Sequence, residues 1–385
     1  MGRKATPGLY RDKSSQIWHI DKTIRGFRIR ESTGTRCLEE AERYLAKRIS
    51  ETRDALIYGQ PLSHSFRESA TKYLIENMHL KSINSTSSIL DKLDPYIGDL
   101  DLSAINNSTF DVFKTEMLEK GRKGKTINNY LEVVSRVFKK AATVWYDESG
   151  NTWTSSVPYI EKINLKDKRD PYPISWLEQK FLFAELTDHL LEPSIFGVHT
   201  GLREQEICQL RWDWEFQVPE LDTTVFVLPA SVTKNEEERM VPLNRVARSV
   251  IEAQRGKHPS RVFTRWSGNK KKGTKKLVPL EKIYGHGWQG ARERAAEKYE
   301  QETKDPAHWG FENLRVHDLR HTFGRRLRAA GVSKETRSDL LGHKTGDITS
   351  HYSTAEIKEL IEAVEKIASN NLPEIYQTTL VRVVG

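Results

Sequence analysis

Six side chains in the second half of the sequence have the types that a metal-free attack on a phosphodiester requires. Arginine binds phosphate oxygens in a bidentate manner and keeps its charge, so a pair can stabilise a pentavalent phosphorane. Histidine accepts a proton near neutral pH, and tyrosine, whose ordinary pKa is about 10, becomes a nucleophile when cations and a base activate it. The candidate catalytic residues are Arg203, Lys234, His317, Arg320, His343 and Tyr352.

The first arginine is expected at the start of a helix. A turn at Gly201 would place Arg203 there, with Ile207 and Leu210 on the apolar face of the helix. Glu206 lies three residues after Arg203 on the same face and can hold its guanidinium group in place. Taken alone, such a pair is more often a surface salt bridge.

The second arginine belongs to the motif His317-Asp318-Leu319-Arg320, which begins a predicted helix. Its histidine and arginine lie beside a buried stripe and can point into one cleft. That stripe consists of Leu319, Phe323, Leu327 and Ala330. A histidine and an arginine on one helix are more often structural, and the tyrosine of Thr349-Ser350-His351-Tyr352 is of a kind that normally packs or faces solvent. The combination of all these residues favours the chemical interpretation.

The lysine is predicted at the tip of a hairpin. Thr223–Leu228 and Arg239–Leu243 are strand-like, and the polar residues 233–238 connect them. The acidic run 236–238 beside Lys234 would repel phosphate unless it faces solvent or a partner protomer. A helix is predicted at 245–254, and three more near 289–302, 317–330 and 334–341, with Gly331 and Gly342 as the residues that follow helix ends.

The first 150 residues separate into two patterns. Strand-like runs at 9–10, 17–20 and 27–30 precede a helix, with Thr35 as its cap. The buried stripe of that helix is predicted to be Leu38, Ala41, Leu45, Ile49 and Leu56. Residues 64–146 are helical in pattern, with Ile127, Tyr130, Val134 and Phe138 at amphipathic spacing, and 151–172 resemble an extended linker. A strand is predicted at 378–384.

Clustered basic charge indicates a polyanionic partner. The net charge is +8 and the isoelectric point about 9.2. Residues 1–30 carry eight Lys or Arg against two Asp, and residues 264–276 carry six Lys or Arg and no acid. Such clusters suit the phosphates of a nucleic acid, although a solvated loop is the alternative for the second one. The predicted DNA contacts are Arg25, Arg28, Arg30, Lys270, Lys271 and Lys272.

Several other classes of protein are disfavoured. Cys37 and Cys208 have no metal-ligand spacing, and no P-loop is present, so neither a metal nor a nucleotide cofactor is expected. The sequence has no run of about 20 apolar residues and no apolar segment after its basic start, which predicts neither a membrane span nor a signal peptide. We therefore expect a cytoplasmic protein, associated with the bacterial nucleoid and with no membrane partner.

Four motifs in this order resemble the tyrosine recombinase, or phage integrase, family. Its TGLR-x-x-E box is similar to 200–206, its hairpin lysine with a following arginine and a Val-Pro-Leu strand to Lys234, Arg239 and 241–243, its HDLRHTF box to 317–323, and its LGH-x5-T-x2-Y box to 341–352. The resemblance covers about 175–360. It implies an arm-type DNA-binding domain at 1–60, a helical core-binding domain at 61–150, a linker at 151–172 and a catalytic domain with a tail at 173–385.

The resemblance also implies a fold class and roles. The fold would be multidomain, with a small α/β N-terminal domain (a three-stranded sheet plus a helix), an all-α domain and a mainly α catalytic domain with a β-hairpin. Tyr352 would attack the phosphorus atom, Lys234 would protonate the leaving oxygen and His317 would act as the base. The phosphate oxygens would be bound by Arg203, Arg320 and His343, with Glu206 orienting Arg203.

The implied partners are double-stranded DNA attachment sites, three further copies of the chain in a tetramer on DNA, and DNA-bending and directionality proteins. One alternative is relaxation of supercoils by the same phosphotyrosine chemistry, as in a type IB topoisomerase. The other is a DNA-binding protein of this fold without enzymatic activity. A multidomain DNA-binding layout argues against the first, and the intact set of six residues against the second.

Overall fold

A computed structural model of the chain describes residues 6–58, 63–147, 150–165, 169–268, 274, 276–342 and 353–368. The chain forms two compact units, Met1–Lys168 and Arg169–Gly385. No helix in the part of the chain that the structure describes is both long and apolar enough to cross a membrane.

The first unit begins with an antiparallel three-stranded sheet in the order β1 (Leu9–Arg11), β2 (Trp18–Ile24) and β3 (Phe27–Ser32). Alternation places Ile20 and Ile29 in the core while Arg28 and Arg30 face solvent. Helix α1 (Leu38–Tyr58) covers the sheet with Ala41 and Leu45. The sequence therefore predicted this sheet and its helix correctly.

The predicted cap of α1 was wrong. Thr35 lies three residues before the first helical residue, and its hydroxyl accepts a hydrogen bond from the Cys37 N–H. The Cys37 carbonyl accepts the first helical bond, from the Ala41 N–H, so the chain turns once more before the helix begins. The side chain of Leu56, predicted on the buried stripe, lies outside the part that is described.

Four helices form the rest of the first unit: α2 (Phe66–Glu76), α3 (Ile83–Ile97), α4 (Asp111–Glu119) and α5 (Gly124–Thr143). Ile127, Val134 and Phe138 of α5 are completely buried, as their spacing predicts. The described residues between 144 and 165 form no helix, but they pack on α5: the Asn128 side chain donates to the Ile163 carbonyl and accepts from the Ile163 N–H. The boundary between the units lies at 168/169, within the predicted linker.

The second unit contains helices and two small antiparallel sheets. Its helices are α6 (Trp176–Glu185), α7 (Asp188–Thr200), α8 (Glu204–Cys208), α9 (Arg245–Gln254), α10 (His286–Thr303), α11 (Trp309–Glu312), α12 (Val316–Ala329), α13 (Lys334–Leu341) and α14 (Thr354–Glu365). Its strands are β4 (Glu215–Val218), β5 (Thr223–Leu228), β6 (Arg239–Pro242), β7 (Thr264–Ser267) and β8 (Lys276–Pro279). The core includes Phe196, Phe263 and the fully buried Trp288.

Sequence patterns predicted most of these elements. The hairpin β5–β6 and helices α9, α12 and α13 lie where they were expected, and Gly331 and Gly342 adopt the left-handed conformation after their helices. Three strands were not predicted: β4 extends the hairpin to a three-stranded sheet, and β7 and β8 pair on either side of the basic segment. Strand β4 buries only Val218 fully and therefore shows no clear alternation. The strand predicted at 378–384 lies outside the described residues.

Candidate active site

Arg203 is positioned by a tight turn between α7 and α8. Gly201 ends α7 in the left-handed conformation, with φ 63°, and a Cβ atom there would lie 2.3 Å from the Phe323 ring of α12. A residue with a side chain would therefore push the two helices apart. Arg203 follows as the N-cap residue of α8. The helix ends at Cys208, so Leu210, expected on its apolar face, is buried just beyond it.

Glu206 holds Arg203 in place, as predicted. One carboxylate oxygen accepts a hydrogen bond from the Arg203 backbone N–H at 2.8 Å, and the other accepts from Nη1 of its guanidinium at 2.6 Å. Glu206 is only 2% exposed, whereas the Arg203 side chain keeps 22% of its surface. The pair is therefore a buried anchor for a partly accessible cation rather than a surface salt bridge.

Arg239 is a third arginine at this site, which the sequence analysis did not include among the site residues. It lies on β6, is 5% exposed and donates Nη1 at 2.9 Å to the Glu206 oxygen that also accepts from the Arg203 backbone N–H. Its Nη2 donates to the Leu340 carbonyl at the end of α13. The available signal was the strand itself: a charged residue in the apolar run Arg239–Pro242 needs a buried partner.

Arg320 completes the cluster from α12. It is 5% exposed, and its two terminal guanidinium nitrogens, Nη1 and Nη2, donate to the backbone carbonyls of Gly201 and Leu341, respectively. Burial, then the charges of Arg239 and Arg203, lower the pKa of Arg320 to about 9. Arg203 and Arg239 share the single carboxylate of Glu206, and the charge of Arg320 acts on the same group, so the cluster carries excess positive charge and is suited to bind an anion.

His317 lies at the start of α12 with its ring edge-on to that of His321, at 4.8 Å between ring centres. Partial desolvation of the ring, followed by His321 and Arg320, lowers the pKa of His317 below its ordinary value of 6.5. The imidazole is therefore neutral at physiological pH and able to accept a proton. His308 caps α11 and stacks on Tyr172, so it has a structural role.

The start of α12 is fixed by Asp318, whose role the sequence analysis did not identify. Its carboxylate accepts hydrogen bonds from Arg169 Nη2 at 2.8 Å and from the backbone N–H groups of Arg315 and Tyr172. Asp318 is 3% exposed, so a buried ion pair connects the first residue of the second unit to the helix that carries His317 and Arg320. Nothing in the local spacing links positions 169 and 318.

Lys234 occupies the loop between β5 and β6, as predicted, and is exposed. Thr233 before it is buried, and its hydroxyl donates to the Glu237 carbonyl at 2.7 Å. Asn235 after it donates Nδ2 to the Gly342 carbonyl at 3.1 Å. The acidic residues Glu236, Glu237 and Glu238 are exposed.

The structure thus brings Arg203, Glu206 and Arg320 together and adds Arg239 to them. The described residues 276–342 end at Gly342, the residue before His343. His343, Tyr352 and the three lysines Lys270, Lys271 and Lys272 lie outside the described residues. Of the predicted DNA-binding arginines in the first unit, Arg28 pairs with Asp21 across the sheet at 2.7 Å, while Arg25 lies in the β2–β3 turn and Arg30 is exposed.

Comparison with known proteins identifies the second unit. Residues 194–381 match the model of the phage integrase family. The second unit belongs to this family. The whole chain is also similar to the integrase of Salmonella phage P22, with 24% identity over 390 residues that include 93% of this chain and 94% of that protein.

Solved structures share the fold of this chain. A lambda integrase dimer bound to a COC′ core site aligns with 98% of this chain and all of that chain, at a TM-score of 0.52 and 12% identity. The Tn1549 transposon integrase in complex with a circular intermediate DNA aligns with 77% of this chain and 98% of that chain, at a TM-score of 0.51 and 18% identity. At these identities the likeness concerns the fold.

Proposed function

We propose that the chain is a site-specific DNA recombinase that cuts and rejoins DNA through a covalent bond to Tyr352. The observation that carries the proposal is the cluster of Arg203, Arg239 and Arg320 around one buried carboxylate. Two guanidinium groups on one carboxylate, with a third held nearby by backbone carbonyls, form a site for a phosphate group. Membership of the phage integrase family supports this assignment.

In the proposed reaction, Arg203 and Arg320 bind the non-bridging oxygens of the scissile phosphate together with His343. The hydroxyl of Tyr352 loses its proton to His317 and its oxygen attacks phosphorus, forming a 3′-phosphotyrosine. The bond from phosphorus to the 5′ oxygen breaks, and Lys234 gives that oxygen a proton, releasing a 5′-hydroxyl. The neutral His317 suits the role of base.

Strand joining follows from the same chemistry in reverse. The phosphotyrosine ester retains the free energy of the original bond, so the 5′-hydroxyl of a partner strand can attack it and displace Tyr352. The reaction then needs no nucleotide hydrolysis. Integration or excision of a mobile element consists of two such strand exchanges.

Similar solved structures support the proposed DNA partners. Structures similar to this chain include a lambda integrase tetramer bound to a Holliday junction, at a TM-score of 0.50. We propose a homotetramer on two attachment sites here, with residues 61–150 on the core site and the sheet of residues 1–60 on separate arm sites. DNA-bending and directionality proteins would assist it.

Covalent trapping tests the proposal. Nicked duplexes carrying candidate attachment sites from the DNA that flanks the coding sequence are incubated with the wild-type chain, with Tyr352→Phe and with Tyr159→Phe. Tyr159 is 79% exposed in the first unit and serves as the matched control. A denaturation-resistant adduct should form with the wild type and with Tyr159→Phe, and it should persist in EDTA.

The other outcomes separate the alternatives. An adduct that also forms with Tyr352→Phe would refute Tyr352 as the nucleophile. Tight, salt-sensitive binding without an adduct on any candidate site would point to a DNA-binding protein without enzymatic activity. Relaxation of supercoiled DNA without strand exchange between two sites would identify a topoisomerase instead.

A further inference from the structure

The last three carbonyl groups of the α13 terminus all accept hydrogen bonds from side chains of other elements. Leu340 accepts from Arg239 of β6, Leu341 from Arg320 of α12, and Gly342 from Asn235 of the β5–β6 loop. Carbonyls at the end of a helix lack partners within it, so such donors fix where the helix ends. Two of these three donors, Arg239 and Arg320, belong to the arginine cluster, which also includes Arg203.

The third donor, Asn235, is adjacent to Lys234. The loop from 229 to 238 is ten residues long, and the Thr233 hydroxyl ties it internally to the Glu237 carbonyl. The bond from Asn235 Nδ2 to the Gly342 carbonyl, at 3.1 Å, joins this loop to a residue 107 positions later in the sequence. Lys234 therefore lies between a residue bonded within the loop, Thr233, and a residue bonded to the α13 terminus, Asn235.

The approach of the chain at Gly342 is close. Gly342 has φ 57°, and a Cβ atom added there would lie 2.7 Å from Cδ of Arg239. The absence of a side chain lets the α13 terminus pack directly against the arginine that follows the loop. Hydrogen bonds thus hold the end of α13, the hairpin and the arginine cluster together.

We propose that Asn235 is a positioning residue for the general acid. By donating to the Gly342 carbonyl, its amide fixes the loop against the end of α13 and holds Lys234 where it can protonate the leaving 5′ oxygen. The inference rests on the function proposed above, in which Lys234 is that acid. Asn235 itself takes no part in binding the phosphate.

A substrate that needs no acid distinguishes positioning from a structural role. In a duplex with sulfur in place of the bridging 5′ oxygen at the scissile phosphate, the leaving group is a thiolate, which departs without a proton because thiols are far more acidic than alcohols. Single-turnover rates of adduct formation are measured with the full chain on the oxygen and sulfur duplexes, using a site on which the wild type forms the adduct. The variants are Asn235→Ala, Lys234→Ala and Asn313→Ala.

Asn313 provides the matched control, since its Nδ2 also donates to a backbone carbonyl, that of Trp309, at a partly exposed position outside the β5–β6 loop and the α13 terminus. We expect Asn235→Ala to be slower than wild type by about tenfold on the oxygen duplex and within about twofold on the sulfur duplex. Lys234→Ala should lose more of the rate on the oxygen duplex and should likewise regain a rate close to that of the wild type on the sulfur duplex. Asn313→Ala should match the wild type on both.

Each remaining outcome has one meaning. If Lys234→Ala still forms the adduct slowly on the sulfur duplex, Lys234 is not the acid, and its part in the proposed function, protonation of the leaving 5′ oxygen, is refuted. If Lys234→Ala recovers and Asn235→Ala does not, or if Asn235→Ala matches the wild type on oxygen, the positioning role is refuted. Thermal unfolding monitors integrity, and Asn235→Leu, which keeps the volume and removes the donor, repeats the test if the alanine variant unfolds.

Discussion

Glu206 is the residue that arranges the arginines of the site. Its buried carboxylate accepts hydrogen bonds from both Arg203 and Arg239, so neither guanidinium has the same position without it. Breaking a buried ion pair by removing one partner typically costs about 3–5 kcal/mol, because the remaining charge stays buried without compensation. We expect Glu206→Gln to lower the unfolding temperature and to slow adduct formation by tenfold or more, both measured on the full chain.

Glu252 offers the matched control for that substitution. It also pairs with an arginine three residues away, Arg255, at 2.7 Å, but both side chains are largely exposed. Exposed pairs of this kind contribute less than about 1 kcal/mol, so Glu252→Gln should leave the rate and the unfolding temperature nearly unchanged. Equal effects of the two substitutions would show that the buried position of Glu206 has no special role.

The lowered pKa of His317 predicts the pH dependence of cleavage. Below its pKa the imidazole is protonated and cannot serve as a base, and that pKa lies below 6.5. The rate of adduct formation should therefore stay level as the pH falls from 8 to 6.5 and decline only at lower pH. His321→Gln removes a neighbour that depresses this pKa, so the decline should move to higher pH.

Acid unfolding has to be separated from that titration. His199 is buried, and desolvation lowers its pKa to about 3. The unfolded chain binds this proton near pH 6.5 and the folded one does not, so stability falls by about 1.4 kcal/mol per pH unit below 6.5. Circular dichroism at each pH separates the two effects. A decline in rate that begins above pH 6.5 in a folded protein would contradict the assignment of His317 as the base.

At the scale of elements, Asn244 connects three helices. Its Oδ1 caps α9 by accepting from the Ala247 N–H, and its Nδ2 lies 3.1 Å from both His199 Nδ1 of α7 and the Val364 carbonyl of α14. Asn244 is completely buried. Helix α14 begins two residues after Tyr352, and this bond fixes the C-terminal end of that helix to the core.

Asn244→Ala tests this connection. It removes the cap and leaves a buried carbonyl without its donor, so we expect a loss of about 3 kcal/mol in the free energy of unfolding, measured by urea titration of the full chain. Ser333 caps α13 through the Thr336 N–H and makes no comparable buried contact, so Ser333→Ala should cost about 1 kcal/mol. Similar losses for both variants would reduce Asn244 to an ordinary cap.

Sequence patterns predicted the elements better than the contacts between them. Amphipathic spacing identified α5 and α12, and the i,i+3 rule identified the pair of Arg203 and Glu206. The same rule cannot identify Arg239, because it is 33 positions from Glu206 in sequence and adjacent to it only in the folded chain. Likewise, Arg320 donates to backbone carbonyls, and a carbonyl acceptor has no sequence signature.

At the scale of the whole molecule, the distribution of positive charge should govern DNA affinity. Each cation that neutralises a phosphate releases condensed counterions and adds about 0.9 to the slope of log affinity against log salt concentration. Replacing Lys270, Lys271 and Lys272 by alanine should therefore reduce that slope by about 1 to 3, measured by fluorescence anisotropy on a labelled duplex at several salt concentrations. The loss should be similar for unrelated DNA sequences, because phosphate contacts carry no sequence information.

A control triple variant makes this prediction specific to position. Arg294, Lys298 and Lys257 are surface cations that pair with Glu185 or Glu192, and replacing all three by alanine removes the same charge. Since their charge is already matched by a carboxylate, the salt slope should hardly change. Equal slopes for the two triple variants would mean that net charge, rather than the cluster between β7 and β8, attracts DNA. A slope unchanged in both would remove this segment from the interface altogether, so that the phosphate contacts would come from other parts of the chain.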